Sequence, residues 1–310
     1  MTSLLAATKA KAVNEISADW WASRADGSVD ASQGPPSFQA AARSRGMRLL
    51  VTVSNWNESA GGFDAAIPDA ILSSPTLTAT QVNDLANLCL SYGYDGIDLD
   101  WESLTADERQ PFSQFVSELA AALHAEGKIL SVDVAAKTND DGDWPTAAAE
   151  DYVAMGRVAD EVKIMTYDYS GSWSAPGPIS PLGWVDKVLR YAEGVIPPSK
   201  VWVGVPFYGC NWTGTKIGSP TSHVVWATAA RLRQKYGVRV MRLSDGEPVF
   251  RYRAGGRTHV VVFQDRQALA RRLAFLTQQH PEIAGICIWV MGGEDPRFWP
   301  EIASALGAAN

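Results

Sequence analysis

Tyr94-Asp95-Gly96-Ile97-Asp98-Leu99-Asp100-Trp101-Glu102 is the stretch whose reading decides the fold. Asp98, Asp100 and Glu102 recur at every second position, with Ile97, Leu99 and Trp101 between them. On a β-strand alternate side chains point to opposite faces, so the acids share one face and the apolar residues the other. Carboxylates two apart on a strand start roughly 6.6 Å from one another, close enough that at least one is pushed toward its protonated form. Two simpler readings compete. Acidic alternation also marks the wet face of an antiparallel sheet, and closely spaced Asp residues also suit Mg²⁺ or Ca²⁺. The flanking sequence argues against the first, because helix-like stretches at Thr80–Tyr92 and Ala106–Glu126 bracket the strand. A strand between two helices belongs to a β/α unit, whose parallel strands are covered on both faces.

Working outward, apolar strands alternate with helical stretches along the chain. Strands are predicted at Ala12–Trp21, Arg48–Asn55, Gly93–Trp101, Ile129–Ala135, Glu161–Asp168, Lys200–Tyr208 and Gly285–Met291. Helices are predicted at Ser37–Arg45, Thr80–Tyr92, Ala106–Glu126, Thr146–Val158, Trp184–Gly194 and Arg266–His280. Between Thr213 and Asp265 the pattern changes to a helix at Ala227–Tyr236 and strands at Arg239–Leu243, Glu247–Arg253 and His259–Gln264, with Gly255-Gly256 as a hairpin turn. The expected fold class is therefore α/β, a (β/α)8 TIM-type barrel with a small α+β insertion at 213–265 before the last strand. The tally of core strands is seven, because Met1–Lys11 reads as helix; either the first barrel strand is missing or the count merges two. The 310 residues, 46% hydrophobic and 20% charged, fit one barrel domain over 1–310.

Composition excludes several classes. A net charge of −7 provides no basic stripe for phosphates, so no nucleic-acid partner is expected. Cys89, Cys210 and Cys287 are scattered without metal-ligand spacing and read as buried apolar residues. His124, His223, His259 and His280 are equally dispersed, and no glycine-rich phosphate loop occurs, so neither a metal nor a cofactor is expected. Met1–Val13 carries only the apolar run Leu4-Leu5-Ala6-Ala7 before Lys9 and Lys11, too short and polar for a signal-peptide core or a membrane span. As given, the chain reads as soluble and unexported, without membrane insertion, and is expected to be a monomer; where it works is left open. The 12 Trp residues, among them Trp56, Trp101, Trp173, Trp212 and Trp289 near strand ends, suit stacking on sugar rings as well as ordinary core packing.

In barrels of this kind the chemistry sits at the carboxyl ends of the strands. Glu102, Tyr167-Asp168 and Trp289 all fall there and are expected to converge on one mouth.

Asp95-x-x-Asp98-x-Asp100-x-Glu102 resembles the signature strand of family 18 glycoside hydrolases, the chitinase-like enzymes. Met165-x-Tyr167-Asp168 resembles their second motif, and Trp289 falls where their last strand supplies a subsite floor. The resemblance runs from about Ala12 to Ile302 and is closest to a bacterial branch of spore-cortex-lytic N-acetylglucosaminidases, through Gly177–Trp184 and Gly292–Trp299. It departs from the pattern at Cys210 and Asn211, where an aromatic and an acid are expected.

The resemblance implies retaining, substrate-assisted hydrolysis of β-1,4-linked N-acetylglucosamine polymers, in chitin or peptidoglycan. Glu102 is then the general acid, its pKa raised by the neighbouring carboxylates. Asp100 orients the substrate's acetamido group, Asp98 holds Asp100 and shares its proton, and Tyr167 bonds the acetamido oxygen. Asp168, Trp289, Met165, Tyr208, Asn55 and Trp212 are expected to touch substrate. A chitinase-fold lectin and a metal-dependent barrel enzyme are the alternatives; the presence of Glu102 disfavours the lectin.

Overall fold

The computed structural model describes residues 2–31, 36–142, 144–305 and 307. Seven parallel strands form one curled sheet: β1 (Glu15–Ser23), β2 (Arg48–Ser54), β3 (Gly96–Asp100), β4 (Ile129–Ala135), β5 (Glu161–Met165), β6 (Val201–Pro206) and β7 (Gly285–Trp289). Their order in space is their order in the chain, the winding of a TIM-type (β/α) barrel. These are the seven strands expected from the sequence. A short antiparallel strand that the sequence reading did not find, Val29–Ala31, pairs with the end of β1 and makes the sheet eight-stranded. The ring stays open: β7 and β1 are the first and last parallel strands, and they form no ladder with one another. Ahead of β1 lies the helix Thr2–Lys9, with Leu4 and Ala7 buried. Ala7 packs with Phe298 and Ile302 against the outer side of that seam.

Packing fixes the parity of β3. Ile97 and Leu99 lie in the main core, and Trp101 just beyond the strand is 1% exposed. The helix Arg109–Ala125 buries Phe112, Phe115, Val116, Leu119 and Leu123, the stripe expected of one face at 3.6 residues per turn. Trp101 stacks on Phe115 with centroids 4.6 Å apart and rings 8° from parallel, and its Nε1 donates to Ser23 Oγ at 3.0 Å. With the indole locked outward, Asp98, Asp100 and Glu102 must face inward.

Several boundaries move. The helix expected from Thr80 begins at Pro75, with the Ser74 side chain capping Leu77 N. The helix expected over Thr146–Val158 breaks in two, Pro145–Ala149 and Tyr152–Val158. The break lies at Glu150, whose carboxylate turns inward to accept from Ala135 N, and at Asp151, which caps the second piece. Helices Ala66–Leu72 and Phe298–Ala305 were not expected. Among the described residues, no helix is long and apolar enough to cross a membrane.

A second, antiparallel sheet sits between β6 and the last helix before β7. Its strand order is Thr221–Val225, Tyr208–Thr213, Arg257–Val262, Pro248–Ala254 and Met241–Arg242, with the helix Trp226–Tyr236 alongside. Gly255 and Gly256, at φ 57° and 74°, form the hairpin turn the sequence signals. Two corrections follow. The strand expected over Lys200–Tyr208 ends at Pro206, so Tyr208 opens the second sheet, and Arg239–Leu243 shortens to Met241–Arg242.

Candidate active site

The inner faces of the parallel strands and the loops at their carboxyl ends enclose a cavity of about 2130 Å³ that extends down the open seam. Asp98, Asp100, Glu102, Met165, Tyr167, Asp168 and Trp289 all line it. The convergence expected from the sequence is therefore present. Trp289 is 39% exposed at the end of β7, and the Trp289–Val290 peptide is cis.

Glu102 follows β3 by two residues, so its position depends on what holds the loop. Asn55 does this with one amide: Nδ2 donates to the Glu102 carbonyl at 2.8 Å, and Oδ1 accepts from Glu102 N at 2.9 Å. The same Nδ2 also donates to the Asp64 carbonyl at 3.1 Å. Asn55 is fully buried and does not line the cavity, so it clamps the backbone of the acid and has no surface to offer a sugar. Trp212 is also fully buried, its Nε1 donating to the Gly171 carbonyl at 2.9 Å inside the second sheet's core. These two residues are not brought to the cavity. Tyr208 occupies an intermediate place. It is 4% exposed, and its hydroxyl donates to Asp168 Oδ1 at 2.6 Å, holding a side chain that itself lines the cavity. Asp168 adopts φ 55°, a left-handed conformation that Asp tolerates better than most residues.

The electrostatics separate the acids. Glu102 is raised to about 7, by burial first and by the negative charge of Asp168 second. The expectation that the acids of its own strand raise it is corrected here: the second contributor is the carboxylate across the mouth. Asp100 is held well above the usual carboxylate range by burial, then by Glu102 and Asp98. Tyr167 is pushed well above its ordinary value by burial and by Asp133, so its hydroxyl stays a donor. One oxygen each of Asp98 and Asp100 is buried without a hydrogen-bond partner among the described residues.

The sequence reading missed charged residues on the neighbouring strands. Asp133 on β4 and Lys163 on β5 both line the cavity and are direct cross-strand partners. Lys163 Nζ lies 2.9 Å from Asp98 Oδ2 and 3.2 Å from Glu15 Oε1. A charged side chain inside Ile129-Leu-Ser-Val-Asp133-Val-Ala or Glu161-Val-Lys163-Ile-Met was the available signal, since buried parallel strands are normally near-continuous apolar runs. Trp56, Trp144 and Trp173 also line the cavity and are 37%, 47% and 62% exposed, broad apolar faces at its rim. Among the described residues, no group of three or more His, Cys, Asp or Glu is arranged to hold a metal ion.

Comparisons with known proteins match this geometry. A solved chitinase from Chromobacterium violaceum superposes with a TM-score of 0.88 at 26% identity, covering 97% of this chain and 94% of that one. An uncharacterised glycosylase of Bacillus subtilis, YvbX, is 27% identical over 295 residues, which are 94% of this chain and 84% of the relative. The cortical fragment-lytic enzyme of Bacillus anthracis is 30% identical over 82% of this chain, which spans 58% of that relative's length. The family description "glycosyl hydrolases family 18" matches residues 12–294, a span that begins just before β1 and ends just beyond Trp289. The acid strand, the mouth it faces and nearly the full length of the chain thus fall within a single family match, and the chain belongs to glycosyl hydrolase family 18.

Proposed function

We propose that this glycosyl hydrolase cleaves β-1,4-linked N-acetylglucosamine polymers with retention, using the substrate's own acetamido group as nucleophile. Glu102 is the general acid: it gives its proton to the glycosidic oxygen as the bond to the anomeric carbon breaks. The acetamido oxygen attacks that carbon and forms an oxazolinium ion. Water then attacks the same carbon, returns a proton to Glu102 and reopens the ring with net retention. Asp100 orients the acetamido N–H and stabilises the positive charge, Asp98 supports Asp100, and the Tyr167 hydroxyl donates to the acetamido oxygen. Trp289 offers its exposed ring as a floor for the sugar, beside Met165 and Asp168.

The observation that carries this reading is Glu102 itself, a half-buried cavity acid raised to about 7 that therefore keeps its proton near neutrality. We read residues 1–310 as one glycosidase domain, its α+β insertion covering the expected 213–265 together with the strand that opens the second sheet at Tyr208. Peptidoglycan fragments are the favoured substrate over chitin, because a cortical fragment-lytic enzyme is among the relatives that match most of this chain.

Glu102→Gln tests the assignment: hydrolysis of a chromogenic chito-oligosaccharide is expected to vanish while oligosaccharide binding persists, and a wild-type rate rules the assignment out. Any turnover by the wild type excludes a purely binding lectin, and turnover surviving EDTA excludes a metal-dependent enzyme. Parallel digestion of chitin oligomers and muropeptides, read by mass spectrometry, decides the substrate.

A further inference from the structure

We propose that Lys163 is a positioning residue: its ammonium neutralises Asp98, so that Asp100 can work as a carboxylate beside it. This rests on the glycosidase reading above and adds to it a determinant of the acidic side of the pH profile.

The geometry is specific. The Lys163 side chain is 6% exposed, and Nζ donates to Asp98 Oδ2 at 2.9 Å. The same ammonium faces Glu15 Oε1 at 3.2 Å and Glu161 Oε2 at 3.8 Å. Arg48, from the start of β2, pairs with both of these glutamates and so compensates the floor of the sheet independently. That leaves Lys163 as the cation bonded to the acid row itself. Asp133 is its cross-strand neighbour on the inner face.

Besides Arg48 on β2, five of the seven parallel strands contribute a group that bears on the row. β1 supplies Glu15 and the more open Asp19, β3 supplies Asp98 and Asp100, and β4 supplies Asp133. β5 supplies Glu161 and Lys163, with Asp168 beyond its end, and β7 supplies Cys287. Behind β4, buried Glu150 adds a further carboxyl, and Glu102 closes the row at the mouth.

The chemistry follows from Coulomb's law at short range. In the proposed reaction Asp100 must be ionised while Glu102 is protonated. Burial opposes the ionisation of Asp100, and so do Glu102 and Asp98. A fully neutralised Asp98–Lys163 pair has a weak outward field, so Asp100 meets less repulsion than the number of nearby acids suggests. Burial alone disfavours the charge on Lys163, but Asp98 and Glu15 more than offset it, so the ammonium persists throughout the working range.

The test is the pH profile of kcat/KM on a chromogenic chito-oligosaccharide. Lys163→Met is expected to move the acidic limb up by roughly one pH unit, narrowing the active window, because an opposite charge at this range is worth about 1–3 units. Lys163→Arg keeps the charge and is expected to leave that limb near its wild-type position. Lys163→Gln removes the charge with a polar side chain of smaller volume, and is expected to move the limb in the same direction as Lys163→Met. A structural role alone scales the profile without shifting it. An acidic limb unmoved in both neutral variants, or a pH-independent loss in either, overturns the proposal. Should Lys163→Met fail to fold, Lys163→Gln decides by the direction of its shift. Glu102→Gln run alongside keeps the two levels apart: a wild-type rate there sinks the glycosidase assignment itself, whereas a dead Glu102→Gln with unmoved limbs sinks only the role of Lys163.

Discussion

Replacing Asn55 by alanine isolates how much of the site depends on a residue that never meets substrate. The Asn55 amide binds the backbone of Glu102 from both sides, at 2.8 and 2.9 Å, and ties it to the Asp64 carbonyl at 3.1 Å. Asn55 is fully buried, so its removal leaves backbone groups with little access to water. Each net hydrogen bond is worth about 0.5–1.5 kcal/mol, and an orphaned buried group costs about 1–3 kcal/mol, so the loss is about 2–4 kcal/mol in all. The kinetic effect is expected to exceed what stability alone predicts, because the proposed general acid is carried by the loop that Asn55 holds. A displacement on the order of 1 Å is expected to lower kcat roughly 100-fold with little change in KM. Asn55→Asp keeps the acceptor for Glu102 N but sets a carboxylate against two carbonyl oxygens, and is expected to be the worse variant. Urea unfolding with kcat on a chromogenic chito-oligosaccharide measures both effects. Asn55→Ala with kcat within about threefold of wild type and a loss below ~1 kcal/mol would refute the clamp.

Further expectations can be checked on the same protein. In the proposed mechanism Glu102 acts in its protonated form, and it is raised to about 7, so kcat/KM is expected to fall as pH rises through that value. Asp168→Asn removes the second contributor to that shift, and is expected to move the alkaline limb to lower pH. Trp101→Ala empties a site stacked against Phe112 and Phe115 and leaves Ser23 without its indole donor; a loss of about 3–5 kcal/mol is expected in thermal or urea unfolding. Glu247 accepts from Ile179 N at 2.7 Å and Ser180 N at 2.9 Å and sits 3.7 Å from buried Arg272. Glu247→Ala strands that guanidinium, and a loss of roughly 3–5 kcal/mol is expected in the same assay.

What the sequence made legible is what local pattern determines. The alternation from Ile97 to Glu102 gave strand, parity and acid row together, because an apolar face and a charged face admit one register. The seven parallel strands were readable for the same reason. Asn55 ends a predicted strand, and only its tertiary contact with Glu102 shows which way its amide turns. Tyr208 and Trp212 were placed by proximity to β6, yet a strand that continues past Pro206 enters a different sheet, and periodicity does not say to which sheet a strand belongs. Asp133 and Lys163 escaped notice because each is a lone charge in an apolar run. Their pairing appears only when β3, β4 and β5 lie side by side.

The unclosed seam sets where this molecule yields first. β3 and β4 are zipped to neighbours along both edges, whereas β7 is zipped along one and β1 lacks a partner over most of its outer edge. Amides of Gly285–Trp289 should therefore exchange with deuterium sooner than those of Gly96–Asp100. Trp289 rides on the loose lip and the carboxylates ride on the stiff staves opposite. The aromatic at the cavity's mouth is thus carried by a strand paired along one edge, and Asp98 and Asp100 by a strand paired along both.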